Sequence, residues 1–173
     1  MPLSDREQLL VDFGKSFDLR DFVETGTLIG TMFRAVQKGF DRAFTIDKEG
    51  PTPGLAAEFA DSSRVFLLTG SSGDMLGDVL QKHKITRALF WLDAHGNETY
   101  YVDDGNNQVP KELAAIEKYA PDSLVVVDNV TVYKGEYWVN TSYVFTVPKG
   151  WQVVYHDIVA ILHRGGYTLP EGL

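Results

Sequence analysis

Residues 21–47, DFVETGTLIGTMFRAVQKGFDRAFTID, are the stretch on which the reading of the fold turns. It opens on a short apolar run, Phe22 and Val23, and passes through a turn carrying Gly26 and Gly30. It continues as an amphipathic helix and closes on a second apolar run, residues 43–46, ended by Asp47. A strand–turn–helix–strand order of this kind feeds two parallel strands through a right-handed crossover. Gly26 allows a sharp turn and close approach of a ligand to the backbone, and Gly30, at the first helical turn, leaves no side chain between helix and sheet. Free amides at such a turn favour a polar ligand, and Asp47 at the tip of the next strand is placed to accept from two ribose hydroxyls. The stretch predicts a site for a nucleoside-containing ligand.

The glycine spacing narrows the ligand. Residues 24–30 read E-T-G-T-L-I-G, which lacks the middle glycine of the dinucleotide fingerprint G-x-G-x-x-G. The complete phosphate-loop pattern, G-x-x-x-x-G-K-[ST], does not occur in the chain. Glu24 at the strand end repels a pyrophosphate but suits a ligand with a positive end.

The whole chain sets the outer bounds. Its 173 residues suffice for one domain with a proper core and not for a separate substrate domain. No apolar run reaches the length of a membrane span, and the start, MPLSDREQLL, lacks the basic-then-apolar order of a secretory signal, so the expectation is a cytoplasmic protein. With no cysteine, disulfides, thiolate metal sites and a cysteine nucleophile are excluded. A formal net charge of −8 argues against a nucleic-acid partner, whose affinity comes largely from clustered Lys and Arg, and leaves a small-molecule substrate.

In chain order, Ser4-Asp5-Arg6-Glu7 matches a capping box, and Gly14 is placed to end the helix it starts, a structural cover with Leu9, Leu10 and Phe13 inward. After the opening unit come a loop with Pro51, Pro53 and Gly54, a short helix over LAAEFA, and a third strand over residues 64–69. Gly70-Ser71-Ser72-Gly73-Asp74 then leads into a helix reaching about His83, and residues 88–93 form a fourth strand, apolar on both faces. Residues 96–110, GNETYYVDDGNNQVP, read as a lid or partner loop, or as a plain surface loop. Residues 111–119 read as a helix and 124–127 as a fifth strand ending at Asp128-Asn129. Residues 151–156 and 158–162 read as one or two terminal strands, antiparallel to the rest, with a tight hairpin at Asp157 weighed against a single bent strand. Strands alternating with helices give an α/β class, a Rossmann-like three-layer α/β/α sandwich with a mostly parallel sheet. Its ligand crevice lies at the carboxyl ends of the strands, where their order reverses.

In such a sheet Glu24, Asp47, Gly70 to Ser72, Asp93 and Asp128 share one edge. With E-T-G-T-L-I-G and the ribose acid, this resembles the class I S-adenosylmethionine-dependent methyltransferases; any Rossmann-like domain with a glycine-rich turn is the plainer reading. The resemblance implies S-adenosylmethionine held by Glu24, Gly26, Thr27, Gly30, Asp47, Gly70, Ser71, Ser72 and Asp93, with Glu24 at the methionine end and the serines at the adenine. Two carboxylates and an amide, Asp93, Asp128 and Asn129, make an oxygen-rich set suited to Mg2+ or Ca2+, or else bind water and cap turns. FWLDAH and VVVDNV are similar to the cation-dependent O-methyltransferases of the catechol and caffeoyl-coenzyme A type. The lysine of that family's D-A-D-K is missing here, and His95 in Asp93-Ala94-His95-Gly96 stands as substitute base, as metal ligand, or as a residue orienting Asp93. The other histidines, His83, His156 and His163, read as structural. Tyr100, Tyr101, Tyr133, Tyr137 and Trp138 suit an acceptor pocket, core plugs or homodimer contacts. The expected activity is methyl transfer to oxygen of a small molecule or sugar. A non-catalytic nucleoside-binding module and a metal-dependent sugar-modifying enzyme are the alternatives.

Overall fold

The computed structural model of the chain describes residues 3–95, 107–139 and 143–170. The capping box forms as the sequence predicts: Ser4 Oγ accepts from the Glu7 amide, Glu7 Oε2 accepts from the Ser4 amide, and α1 covers Asp5–Ser16. Gly14 does not end this helix. It lies within it, packed under Phe40, where an added Cβ would stand 2.6 Å from Phe40 Cζ.

There follow β1 (Asp21–Thr25), α2 (Thr31–Val36), β2 (Arg42–Asp47), α3 (Pro53–Glu58), β3 (Val65–Thr69), α4 (Ser72–Lys82), β4 (Leu89–Leu92), α5 (Val109–Tyr119) and β5 (Leu124–Val127). Strands β1 to β5 pair in parallel through helical crossovers. The chain then makes β6 (Val130–Tyr133), β7 (Glu136–Val139), β8 (Tyr143–Phe145), β9 (Gln152–His156) and β10 (Val159–His163). The main sheet has the order β3-β2-β1-β4-β5-β10-β9, with β10 antiparallel to both of its neighbours. Helices α1, α2 and α3 cover one face, burying Leu10, Phe13, Phe33 and Leu55 against Phe22, Leu89 and Ile161. Helices α4 and α5 cover the other, with Leu76, Leu80, Leu113 and Ile116 against Val23, Phe90 and Val125. The three-layer α/β/α class read from the sequence is the observed one.

Two local expectations change. Residues 152–163 form a tight hairpin, with His156 paired to Val159 and only Asp157 and Ile158 between them; Asp157 makes the turn by adopting φ 54°. Aspartate tolerates that left-handed region better than most side chains, which is why so short a connection closes without glycine. Residues 130–145 form a separate antiparallel sheet, β6-β7-β8, whose Val130, Val139 and Phe145 add to the core beneath α4 and α5. Among the described residues no helix is long and apolar enough to cross a membrane.

The order of the main sheet reverses at β1, whose neighbours are β2 and β4. In open α/β sheets the strand tips at such a switch point are where ligands bind.

The contact at Gly14 gives a direct test of α1 docking. Crowding a packed core costs about 1–3 kcal/mol and the gain in helix propensity over glycine returns about 1 kcal/mol. Gly14→Ala is therefore expected to lower the urea midpoint by an amount equivalent to at most about 2 kcal/mol, with an unchanged denaturant slope.

Candidate active site

The β1–α2 loop is clamped from both sides. The Gly26 amide donates to the Ile46 carbonyl at 2.9 Å, and the Asp93 amide donates to the Thr25 carbonyl at 3.0 Å. Gly26 has φ 83°, and a Cβ there would stand 2.4 Å from the Asp93 carbonyl oxygen, so backbone meets backbone where β1 passes β4. At the tip of β2, Asp47 Oδ2 accepts from the Leu28 amide and Oδ1 from the Glu49 amide, both at 2.9 Å, while the Asp47 carbonyl accepts from the Gly70 amide. One residue thus ties the glycine loop to the loop after β3. A carboxylate has about four acceptor positions, so two amides leave room for two hydroxyls. Leu28 stands where a middle glycine would be, with φ 47°, and it and Ile29 are 77% and 60% exposed. The loop presents an apolar surface beside a polar rim, which suits a nucleoside.

Glu24 points the other way. It is 1% exposed beneath the loop, where Thr45 Oγ1 donates to its Oε2 at 2.6 Å and also meets Thr27 Oγ1. Burial pushes its carboxyl up to about 8; the Thr45 hydroxyl opposes this and the charges of Asp93 and Asp47 add to it. This geometry makes Glu24 and Thr27 braces that hold the loop from below.

Ser71 and Ser72 open α4. The Ser71 hydroxyl donates to Gln108 Oε1 at 3.0 Å, and Ser72 is 3% exposed. Ser72 faces Glu112, which sequence reasoning missed. Glu112 is fully buried in the first turn of α5, and burial raises its carboxyl to about 7. The hydroxyls of Ser72 and Thr25 temper that shift, though neither reaches hydrogen-bond geometry with it. A signal existed: Val109, Glu112, Leu113 and Ile116 share the inward stripe of an amphipathic helix, and Glu112 is its one charged member.

The β4 and β5 tips bring Asp93 and Asp128 side by side, since Leu92 pairs with Val127. Burial raises the Asp93 carboxyl to about 7, helped by the charge of Asp128 and opposed by that of Arg6. Asp128 is also raised, chiefly by burial. His95 Nε2 lies 3.4 Å from Asp93 Oδ1, but the ring is buried, neither ring nitrogen has a hydrogen-bond partner among the described residues, and burial lowers its pKa to about 4. His95 is a neutral neighbour of Asp93, with little basicity of its own near neutrality.

Of the expected metal set, Asp93 and Asp128 lie side by side, but Asp128 already has a partner. Arg6 Nη1 donates to Asp128 Oδ1 at 3.1 Å, filling a ligand position with a cation. Among the described residues no group of three His, Cys, Asp or Glu side chains is arranged to hold a metal ion. Asn129 adopts φ 54° at the turn into β6. The residues present do not fit Mg2+ or Ca2+, and α1, read as a structural cover, delivers a charged group to the site.

The remaining candidates scatter. His83 packs against Phe44 and Phe66, and His163 against Tyr167. Tyr133, Tyr137 and Trp138 belong to the small sheet, Tyr137 against Phe145. Tyr100, Tyr101 and most of the candidate lid lie outside the described residues; Val109 and Pro110 begin α5. A cavity of about 240 Å³ opens beneath α1, lined by Asp5, Arg6, Leu9, Trp91, His156, Asp157 and Val159.

The buried carboxyl under the loop sets a pH dependence. Glu24 titrates near 4.5 when unfolded and near 8 when folded, so the folded state holds the proton more tightly. That stabilisation is complete below about pH 4.5 and is lost as pH rises through about 8. Glu24→Gln keeps an acceptor for Thr45 and removes the titration. In thermal melts its Tm relative to wild type should climb steadily from pH 4.5 to pH 8; a constant difference would show that the carboxyl titrates normally.

No family model matches the chain, and no curated protein matches it by sequence. Solved structures match it in shape. A Staphylococcus aureus protein assigned as a caffeoyl-CoA O-methyltransferase superposes with a TM-score of 0.59 at 14% identity, over 95% of this chain and 86% of its own. The O-methyltransferase TomG of Streptomyces achromogenes, from tomaymycin synthesis and bound to S-adenosylmethionine, gives 0.54 at 18% identity over 75% of this chain and 57% of its own. An O-methyltransferase of Bacillus cereus in complex with S-adenosylhomocysteine gives 0.52 at 18% identity over 74% of this chain and 58% of its own. The chain thus spans a little over half the length of these last two enzymes. At such identities the likeness is one of architecture, and in architecture this chain has the fold of the S-adenosylmethionine-dependent methyltransferases.

Proposed function

We propose that the protein is an S-adenosylmethionine-dependent methyltransferase acting on a hydroxyl of a small molecule. The observation that carries this reading is the meeting of the Gly26 loop, the Asp47 carboxylate and the Gly70-Ser71 turn at one switch point, with Asp93 closing it from β4. Asp47 has acceptor capacity left for two ribose hydroxyls, Leu28 and Ile29 offer an apolar face to the nucleoside, and Ser71 lies at the adenine side. Glu24 and Thr27 keep the loop in place from beneath.

When bound, S-adenosylmethionine supplies an electrophilic methyl group whose departure leaves a neutral thioether. The protein's task is then to align the acceptor oxygen and remove its proton. Asp93 is the group suited to that. It stands at the strand tip, its side chain is 34% exposed, and its carboxyl is raised to about 7, where a base is both ionised and basic enough near neutrality. The hydroxyl proton passes to the Asp93 carboxylate as the oxygen–carbon bond forms and the carbon–sulfur bond breaks. His95 lies beside Asp93 as a neutral ring. No step runs through a metal, because Arg6 takes the ligand position at Asp128.

Calorimetry with S-adenosylmethionine and with S-adenosylhomocysteine tests the binding half. Asp47→Ala should weaken both by roughly ten- to a hundredfold, the loss of a charged hydrogen-bond acceptor worth about 1.5–3 kcal/mol. If neither nucleoside gives heat with the wild type, the reading falls. With a labelled methyl donor and an accepted substrate, kcat/KM should rise with pH to a plateau above about 7. Asp93→Asn should remove that limb and lower the rate by about a hundredfold or more, while nucleoside affinity stays within a few-fold.

A further inference from the structure

Helix α1 lays Arg6 across the carboxyl edge of the sheet. Arg6 Nη1 donates to Asp128 Oδ1 at 3.1 Å, bridging 122 positions of sequence, and Nη2 stands 4.0 Å from Asp157 Oδ2 in the β9–β10 turn. The Asp128 side chain is 7% exposed, so a bare carboxylate there would be costly, and it is Arg6 that meets it. The same charge acts on Asp93 at the neighbouring tip. A divalent ion at this place would need about six oxygen ligands close to 2.0–2.6 Å. With Arg6 in place one of the carboxylate oxygens at the two tips already accepts an N–H, and no group of three His, Cys, Asp or Glu side chains surrounds the spot among the described residues.

Arg6 also has a free side. Its side chain is 39% exposed and lines the cavity beneath α1, together with the apolar Leu9, Trp91 and Val159 and the polar Asp5, His156 and Asp157. A guanidinium carries five N–H donors in a fixed plane and stays charged at every working pH, so pairing with Asp128 leaves donors directed elsewhere. About 240 Å³ lined by apolar side chains, the Arg6 guanidinium and the carboxyls of Asp5 and Asp157 fits a compact ring carrying a hydroxyl.

We propose that Arg6 is the built-in cation of this site: its guanidinium holds the place a divalent ion would take at the β4 and β5 tips, and its free edge receives the hydroxyl of a compact ring lodged beneath α1. Donation to that oxygen steadies the negative charge that grows as the proton leaves for Asp93. The cation role stands on geometry alone; the acceptor role rests on the methyl-transfer reading above.

Two measurements test it, neither containing a methyl donor, so their failure is separate from that of nucleoside binding. Manganese titration followed by electron paramagnetic resonance should find no bound ion in the wild type. Arg6→Ala, or Arg6→Gln if the alanine variant does not fold, should bind Mn2+ at least tenfold more tightly, and adding Asp128→Asn should abolish the gain. Tight Mn2+ binding by the wild type, or no gain in either Arg6 variant, overturns the cation role. Saturation-transfer NMR with catechol and with methyl α-D-glucoside separates a phenolic from a sugar ring. At least one should receive magnetisation from the wild type and lose it with Leu9→Trp, which fills the cavity. No transfer to either probe, or transfer unchanged by Leu9→Trp, overturns the acceptor subsite.

Discussion

The approach of Gly26 to the Asp93 carbonyl is the constraint on which the site depends. Two backbones can come this close only where one of them carries no Cβ, and only a residue free to adopt positive φ can then turn away. Because β1 and β4 meet there, the loop that leaves β1 is fixed relative to the acid that ends β4. Asp47 extends the constraint sideways by holding the Leu28 amide with its side chain and the Gly70 amide with its carbonyl. Four strand tips, those of β1, β2, β3 and β4, are thereby set in one frame by backbone and side-chain contacts alone.

Within that frame the buried carboxyls divide into two kinds. Glu24 and Glu112 lie under the loops on opposite faces of the sheet, one beside Thr45 and the other beside Thr25 and Ser72, and both are raised chiefly by burial. Asp93 and Asp128 lie at the rim and have Arg6 as counter-charge. The first kind stabilises position, since a protonated or singly bonded carboxyl in a dry place has one preferred arrangement. The second kind remains reactive, since its partners are partly in contact with solvent.

Much of this was readable in the chain. Alternating strand and helix patterns set the class, Gly26 and Asp47 marked the switch point, and the capping box at Ser4 placed the start of α1, though not its end. What escaped reading shares a physical cause. Which face a strand residue looks toward depends on neighbours in the sheet, so the burial of Glu24 and its bond from Thr45 were not legible from its place before the glycine turn. Arg6 meets Asp128 across most of the sequence, a distance at which no local pattern speaks. The hairpin at Asp157 closes on a non-glycine residue in the left-handed region, which turn preferences rank low. Glu112 is the exception, for its inward place on α5 follows from helical spacing alone.

The strand β10 is the last described strand along the chain, yet it sits inside the main sheet, between β5 and β9. Until residues 159–163 are made, β5 has an open edge, and it is a run of Leu124, Val125, Val126 and Val127, all fully buried in the finished protein. Uncovered apolar edges of this type recruit other chains. During synthesis β5 therefore leaves the ribosome before the strand that covers its edge, and it depends on that later insertion to avoid self-association.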